Sequence, residues 1–498
     1  MDLFHIILAI LPFSIFCLFL IFNHSVSLLK ISLITLIITA LISLIFWQSP
    51  ISIIGFSLSR GLLVALDILF IIFGAILFLE ILKKNKITAS LAFHLNNFSP
   101  DLRIQVIILA WFFEGFLEGI AGFGTPSIIV APLLMALGIS PLKAVIISLL
   151  GNSTSVPFGA VGTPIRVGFA GINLDFLSIG STGAIYNMVG LIVPVFMLWV
   201  LLSSNSRRFL LFKQGLPFAI WSGIAFVLPS YLISLFGIEF PSIIGSIIGL
   251  ILVIITSRFK LFIPREIYNN LSTPAKNTNF LPLKKTIFPY ALFIILLIFA
   301  KVFLSTLKIS IPFLSYSINL FNPGFILIIT AIIVTIYSKI NRQNFNSITK
   351  LAFSKSMEPF LVVVAMSAVV QLMNNSANSN LNLLSITQTI SVIFSTQILP
   401  FLAPFIGALG SFITGSATIS NIMFGPSIYS SSLLLGFNPV KILSLLLVGA
   451  GAGNMIAIAD VLAAKTVAGN KDNLRKIIFS ILPYCLIYLI IVAIIGLF

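Results

Sequence analysis

Charged residues are scarce in this chain. Asp, Glu, Lys and Arg make up only 8% of its 498 residues, and hydrophobic residues make up 59%. A soluble domain is usually about a quarter charged, and a bilayer-spanning helix needs about 20 apolar residues in a row. The composition therefore predicts a polytopic membrane protein in contact with the lipid bilayer, and it excludes most soluble enzymes.

The net charge of +16 does not indicate a nucleic-acid partner. The 28 Lys and Arg residues stand in short clusters between apolar runs, as the positive-inside rule expects of cytoplasmic loops. We therefore expect no nucleic acid among its partners.

Cysteine and histidine are also rare. Cys17 and Cys485 both lie inside apolar runs, and the three histidines are scattered along the chain. This pattern predicts neither a structural disulfide nor a metal site. The chain also shows no nucleophile–base pair and no phosphate-binding loop, so we expect no enzymatic activity and no resident cofactor.

The apolar runs predict an all-α fold with about 12–14 transmembrane helices. The longest polar stretch, 260–285, divides the chain into a membrane half at 1–259 and another at 286–498. Two membrane halves joined by a cytoplasmic loop are typical of transporters.

Each half contains an apolar segment that is interrupted by small and polar residues. The first lies near 115–165 and contains Gly-Thr-Pro at 124–126 and at 162–164; the second lies near 405–430. Glycine followed by proline indicates a helix break and a new helix start. Paired breaks in two halves point to a transport site, although close packing of small residues would also produce such a pattern.

The breaks suit a small anion. Helix N-termini offer free N–H groups and partial positive charge, and Ser, Thr and Asn add donors without a buried cation. The predicted substrate-binding residues are Gly122, Gly124, Thr125, Asn152, Ser153, Thr163, Thr414, Gly415, Ser416 and Asn421.

Acidic residues inside apolar runs are costly and usually functional. Glu114 and Glu118 are four residues apart and so share a helix face. Two such carboxyls resist carrying two charges at once, so at least one is expected to exchange a proton near neutral pH. Glu118 is the leading candidate for proton coupling, with Glu114 and Asp460 as weaker ones; alternatively, Glu118 only holds the loop. Arg166 either grips a carboxylate or marks the membrane edge.

Several strings resemble the L-lactate permease family: FLEGIAGFGTP at 116–126, APLLMALGISPLKA at 131–144 and GALGSFITGSATISNIMFG at 407–425. The resemblance implies two inverted repeats, each with a re-entrant segment. It also implies proton symport of L-lactate, or of a related small 2-hydroxy monocarboxylate, across a prokaryotic plasma membrane by alternating access. It leaves a homodimer open.

Three motif positions depart from the family. At one of them the usual Ser-Pro-Gln is replaced by Ala457-Ile458-Ala459, which Asp460 follows. The second motif usually reads TGSDTSSN, with an acid where this chain has Ala417, and a later Gly-Lys-Met is Gly-Asn-Met here, with Asn454 in place of the lysine. An acid and a base are thus lost together. This leaves a sodium-coupled carrier of another small carboxylate as an alternative, and a passive channel as a further one.

Overall fold

The protein is almost entirely helical in the computed structural model. The structure describes residues 3–22, 27–96, 98–122, 124–269, 280–311, 316–377, 381 and 383–498. A short antiparallel hairpin, in which Lys308 pairs with Asn319, is a small addition to the predicted all-α fold.

The N-terminal half contains thirteen helices within its described residues. They are α1 (Leu3–Phe22), α2 (Leu28–Ile45), α3 (Ile51–Lys84), α4 (Ile87–Asn96), α5 (Leu102–Ile107), α6 (Glu114–Ala121), α7 (Thr125–Ala136), α8 (Pro141–Asn152), α9 (Gly159–Arg166), α10 (Phe176–Asn187), α11 (Val193–Leu202), α12 (Arg208–Ser234) and α13 (Pro241–Arg258). A π-helical segment, Ile108–Phe113, joins α5 to α6, and short 3-10 helices at Val156–Phe158 and Met188–Ile192 precede α9 and α11.

The C-terminal half adds nine helices and the hairpin in the part of the chain that is described. They are α14 (Leu283–Leu304), β1 (Lys308–Ile311), β2 (Tyr316–Asn319), α15 (Pro323–Tyr337), α16 (Arg342–Asn374), α17 (Ile386–Phe394), α18 (Leu399–Thr414), α19 (Ala417–Leu434), α20 (Pro439–Gly453), α21 (Ile458–Val467) and α22 (Leu474–Ile495), with a 3-10 helix at Asn454–Ile456 before α21.

Many of these helices can cross a bilayer. Within the described residues nine are long and apolar enough, or up to eleven if each of two bent helix pairs counts as one span. The bent pairs are Pro141–Asn152 with Val156–Arg166 and Ile386–Phe394 with Leu399–Thr414, and α7 and α15 are shorter apolar helices. The chain is therefore a multi-pass membrane protein. The number of spans depends on whether each bent pair is counted as one span.

The predicted linker at 260–285 lies only partly within the described residues, since 270–279 fall outside them. Its described ends contact the N-terminal half. The backbone N–H of Tyr268 donates to Asp101 Oδ2 at 3.0 Å, and His94 Nε2 lies 2.8 Å from the carbonyl oxygen of Leu281.

Helix starts follow local sequence rules. Pro141 and Pro439 occupy the first turn of α8 and α20, where a missing N–H costs nothing. Asp175 and Asn438 cap α10 and α20 by accepting hydrogen bonds from backbone N–H groups. The sequence thus sets most boundaries locally, before tertiary packing contributes.

Two stretches of the chain repeat the same order of elements. In the first, α6, a glycine break, α7, a turn, α8, a 3-10 helix and α9 follow one another; in the second, α18 to α21 do so. The pattern Leu-Gly-x-x-Pro-x-Lys opens the third helix of each stretch, at 137–143 and 435–441. The two 3-10 helices begin at the same register after this pattern. We refer to 102–166 and 399–467 as the first and second repeats.

Equivalent glycines allow equivalent helix crossings in the two repeats. A Cβ at Gly151 of α8 would collide with the carbonyl oxygen of Ala110, and a Cβ at Gly449 of α20 would collide with that of Pro404. The repeats also contact each other reciprocally, α21 against α7 and α9 against α19. Reciprocal contacts are what a two-fold-like relation requires, and they agree with the predicted pair of inverted repeats.

Candidate functional site

The breaks of the two repeats meet at a small cavity. Its volume is about 20 Å³, which is room for about one water molecule. Both repeats contribute to its wall. The lining residues are Glu118, Gly122, Gly124, Val156, Gly159, Ala160, Pro164, Gly415, Ser416, Ala417, Thr418 and Asn454.

The first break lies between α6 and α7. Gly122 and Gly124 both adopt positive φ, 53° and 70°, a region that residues with a side chain rarely enter. The Thr125 hydroxyl donates to the Gly122 carbonyl at 2.8 Å and closes the turn. At Gly124 the space is also needed, because a Cβ would collide with the Asp460 carboxylate.

A second irregular stretch of the first repeat lies where α9 begins. Ala160 and Val161 take left-handed φ values of 42° and 57° without being glycine. Such residues cost on the order of 1–3 kcal/mol each and cluster at functional sites. The Thr163 hydroxyl donates to the Ala160 carbonyl and helps to hold this kink, and Ala160 itself lines the cavity.

The break in the second repeat presents a helix N-terminus to the cavity. Ser416 caps α19, its hydroxyl accepting from the N–H of Ile419 at 3.3 Å. The Thr414 hydroxyl donates to the Gly410 carbonyl at 2.8 Å. Ala417 and Thr418 form the first turn and line the cavity, and N–H groups in a first turn have no acceptor within their own helix. They supply partial positive charge at the wall.

Glu118 is the acidic residue that reaches this cavity from the first repeat. It is only 3% exposed, and its Oε1 lies against Gly159 and Gly122. Its Oε2 has no hydrogen-bond partner among the described residues. The side-chain amide of Asn152 lies beside the carboxyl, and the Asn152 Oδ1 likewise has no partner in the described part of the chain.

Asp460 brings a second carboxyl to the same place from the second repeat. Its Oδ2 accepts from Asn454 Nδ2 at 2.8 Å, and its Oδ1 faces Gly124. The Asn454 Oδ1 in turn accepts from the Ser411 hydroxyl at 3.2 Å. Because Glu118 and Asp460 interact electrostatically, the two repeats each contribute one acid to a single site.

Glu114 has different surroundings, although it shares a helix with Glu118. Its Oε1 accepts from the hydroxyls of Ser127 at 2.8 Å and Ser148 at 3.0 Å, on α7 and α8. It is fully buried and is not part of the cavity wall. Glu114 therefore links α6 to α7 and α8, while Glu118 faces the cavity.

The other predicted residues surround the cavity, with their donors mostly bound to backbone carbonyls. The Ser153 hydroxyl donates to the Leu150 carbonyl at 2.7 Å. The Asn421 amide donates to the Pro164 carbonyl at 3.0 Å and so links α19 to α9 across the two repeats. The structure thus brings Gly122, Gly124, Gly415 and Ser416 directly to the wall and places Thr125, Asn152, Ser153, Thr163, Thr414 and Asn421 behind it.

Sequence reasoning missed three groups of polar residues. Ser127 and Ser148 are ordinary serines within apolar runs, and nothing in the sequence ties them to Glu114. Asn454 was noted only as a departure from a motif. Arg166 belongs to an ion-pair cluster with Glu239 and Lys301, and only the rarity of charge in this chain could have drawn attention to the last two. Among the described residues no group of three or more His, Cys, Asp or Glu is placed to hold a metal ion.

Comparisons with known proteins point to one family. The family model described as L-lactate permease matches residues 5–315 and 304–498. An L-lactate permease of Streptococcus iniae is 30% identical over 68% of this chain and 72% of its own length. The L-lactate permease of Escherichia coli K12 is 25% identical over 89% of this chain and 87% of its own.

Among solved structures, the Alcanivorax borkumensis YdaH transporter is similar over 86% of this chain and 83% of its own. The TM-score is 0.46 and the identity is 13%, too weak a likeness to carry an argument about function. The family match, by contrast, extends over nearly the whole sequence. The chain belongs to the L-lactate permease family.

Proposed function

We propose that this protein is a secondary active transporter that carries L-lactate, or a related small 2-hydroxy monocarboxylate, across the plasma membrane together with protons. One observation supports this most strongly. At the cavity where both breaks meet, the buried carboxyl of Glu118 lies in the same wall as the N-terminus of α19, and one of its oxygens has no partner among the described residues. The names of the relatives supply the substrate class.

The substrate carboxylate would bind at the start of α19. The N–H groups of Ala417 and Thr418 are donors for an anion there, and the helix end adds partial positive charge. Ser416 and Asn454 offer hydroxyl and amide groups for the 2-hydroxyl of the substrate. Binding an anion without a buried cation keeps the affinity moderate, so that the substrate can also leave.

Glu118 would couple the proton to the anion through charge balance. Two carboxyls, Glu118 and Asp460, already share the site, so a third negative charge is strongly opposed when both are ionised. A proton on Glu118 removes one charge and turns its oxygen into a hydrogen-bond donor for the incoming carboxylate. Substrate and proton therefore bind together and are released together, which is symport.

Alternating access would follow from motion between the repeats. The cavity, at about 20 Å³, is too small for a hydroxy acid, so the walls must separate to admit one. One bond that would have to break is the hydrogen bond from the Asn421 amide to the Pro164 carbonyl, which joins the two repeats. Separation of α19 from α9 would expose the site to one face of the membrane. Separation of α21 from α7 would expose it to the other face.

The test is uptake of radiolabelled L-lactate into proteoliposomes with an inward proton gradient, beside a sodium-gradient arm and a no-gradient arm. Unlabelled glycolate, pyruvate and acetate serve as competitors. Proton-driven accumulation that 2-hydroxy acids compete for supports the proposal. Accumulation that requires Na⁺ and survives a proton uncoupler would replace it with the sodium-coupled alternative. Lactate flux that no gradient can concentrate would replace it with a passive channel.

A further inference from the structure

Three charged side chains form an ion-pair cluster at the end of α9, around a buried carboxylate. Arg166 Nη2 lies 2.8 Å from Glu239 Oε1, and Lys301 Nζ lies 3.0 Å from both Glu239 oxygens. Glu239 is 1% exposed, while the side chains of Arg166 and Lys301 are 12% and 29% exposed. We call these three residues the triad.

The triad carries more positive than negative charge. One carboxylate faces two cations, and both of its oxygens are already bound. Arg166 has five N–H donors, and its described hydrogen bonds are those to Glu239 and, at 3.1 Å, to the Phe321 carbonyl. The two cations therefore outnumber the single carboxylate, and the excess positive charge attracts a competing anion to them.

Both cations also contact one aromatic ring. The Arg166 guanidinium lies 5.2 Å and the Lys301 ammonium 5.0 Å from the centre of the Phe321 ring. Cations at this distance from a ring are attracted to its face. The Phe321 ring thus contacts both positive groups of the triad.

The triad adjoins the central cavity through α9. Arg166 is the last residue of α9, and Pro164, two residues earlier, lines the cavity. The residue before Glu239, Ile238, lies against Gly162, where an added Cβ would collide with the Ile238 carbonyl. The triad is therefore in direct packing contact with the kinked start of α9.

The positive-inside rule assigns the triad to the outer side of the membrane. α12 begins at Arg208 and α13 ends at Arg258, beside basic clusters, and Glu239 lies in the turn at their other ends. α14 begins beside Lys284, and Lys301 is in its last turn. Because basic clusters mark the cytoplasmic side, the opposite ends face outward.

We propose that Arg166 and Lys301 form an outer carboxylate-binding site, through which the substrate passes to the central cavity, and that the Glu239 carboxylate occupies this site when substrate is absent. The substrate carboxylate takes the place of Glu239 on the two cations. The ligand class is a small monocarboxylate, so the route of entry rests on the proposed function.

The kinetic test uses the sidedness of the site. Right-side-out and inside-out membrane vesicles are prepared from cells that express the wild type, Arg166→Gln, Arg166→Lys or Lys301→Gln. The KM for lactate is then measured from each face. We expect each Gln variant to raise the KM of outer-face uptake about tenfold, the loss of one charged contact. The inner-face KM should stay within about twofold, and Arg166→Lys should recover part of the loss.

The control is Lys355→Gln, which breaks a lysine–glutamate pair of similar length, 2.8 Å to Glu80, at a half-exposed lysine. It should leave both KM values unchanged. A fall in maximal rate from both faces, with KM unchanged, would show that the triad only supports the fold and would overturn the proposal.

Glu239→Gln gives a prediction of opposite sign. It removes the competing carboxylate and should lower the outer-face KM severalfold. A binding measurement that needs no transport accompanies it: purified protein is titrated with sodium acetate at constant ionic strength, and its thermal unfolding is followed. Acetate should stabilise Glu239→Gln more than the wild type and should not stabilise the double variant Arg166→Gln/Glu239→Gln.

These readouts separate the two claims. Acetate stabilisation of Glu239→Gln in a protein that does not transport lactate would contradict the proposed function and support the outer site. Normal lactate transport with no change in KM and no acetate effect in any triad variant would contradict the outer site alone.

Discussion

The two repeats use one scaffold for different chemistry. Both contain a glycine break, the pattern Leu-Gly-x-x-Pro-x-Lys and a glycine crossing, at Gly151 in one and Gly449 in the other. The first repeat supplies Glu118, whose Oε2 is unpartnered among the described residues, and a strained kink. The second supplies a helix N-terminus and Asp460, already bound by Asn454. In the proposed mechanism, the anion-binding groups and the proton-carrying residue therefore come from different repeats.

Substitution of the crossing glycines should have the largest effect. Gly151→Ala and Gly449→Ala each drive a Cβ into a backbone carbonyl, an overpacking that typically costs about 1–3 kcal/mol. We expect both variants to lose folded protein to a similar extent, measured by fluorescence-detected size exclusion and thermal unfolding in detergent.

Gly55→Ala is the matched control, because nothing lies within 4 Å of a Cβ at that position of α3. It should be neutral or slightly stabilising. If only one of the two crossing variants were damaged, the structural equivalence of the repeats would be wrong.

Restoring the family residues should have the next largest effect. Ala417 and Asn454 line the same cavity, so the acid and lysine that relatives usually carry would lie together. Ala417→Asp alone adds a third carboxyl beside Glu118 and Asp460 and should lower kcat/KM for lactate by about tenfold, because like charges oppose the substrate. Adding Asn454→Lys should recover much of this loss.

A double-mutant cycle on lactate uptake measures that recovery. We expect a coupling free energy of about 1–2 kcal/mol between positions 417 and 454, as for residues in contact. Additive effects would mean that the two positions do not share a site, and that the second repeat is organised differently from the description above.

Loss of the Ser148 hydroxyl, which donates to Glu114, should have the smallest effect. Ser148→Ala removes a donor to Glu114 Oε1 and should lower the free energy of unfolding by about 1 kcal/mol. Lactate KM and maximal rate should stay within about twofold, because Glu114 does not line the cavity. Ser203→Ala, whose hydroxyl only binds the Val200 carbonyl of its own helix, is the control for stability. A large change in lactate KM would indicate that Glu114 takes part in transport, contrary to this assignment.

The breaks of both repeats, and the acid at the cavity, could be predicted from local sequence. Glycine followed by proline marks the break at Gly124, and the small polar residues around Gly415 mark its counterpart, because conformational preference at these residues is local. Glu118 was found because a buried acid is rare in an apolar run. The Leu-Gly-x-x-Pro-x-Lys pattern is also a local feature, and its recurrence at 137–143 and 435–441 is an internal repeat of the sequence.

The rest depends on contacts between distant parts of the chain. Asp460 reaches Gly124 only because α21 packs on α7, and no local pattern encodes that. Gly162 marks the kink at the start of α9, but no local pattern predicts that the left-handed conformation extends to Ala160 and Val161. Glu239 and Lys301 lie in turns and helix ends, where the sequence gives no sign that they meet Arg166.

The most direct test compares Glu118→Gln with Glu114→Gln in proteoliposomes. Proton-driven lactate accumulation and gradient-free lactate exchange are measured for both. The account predicts that Glu118→Gln loses accumulation and keeps exchange, because its amide cannot release a proton, while Glu114→Gln keeps both and is only less stable. Accumulation at the wild-type level in Glu118→Gln, or its loss in Glu114→Gln alone, would contradict the assignment of coupling to the cavity between the repeats.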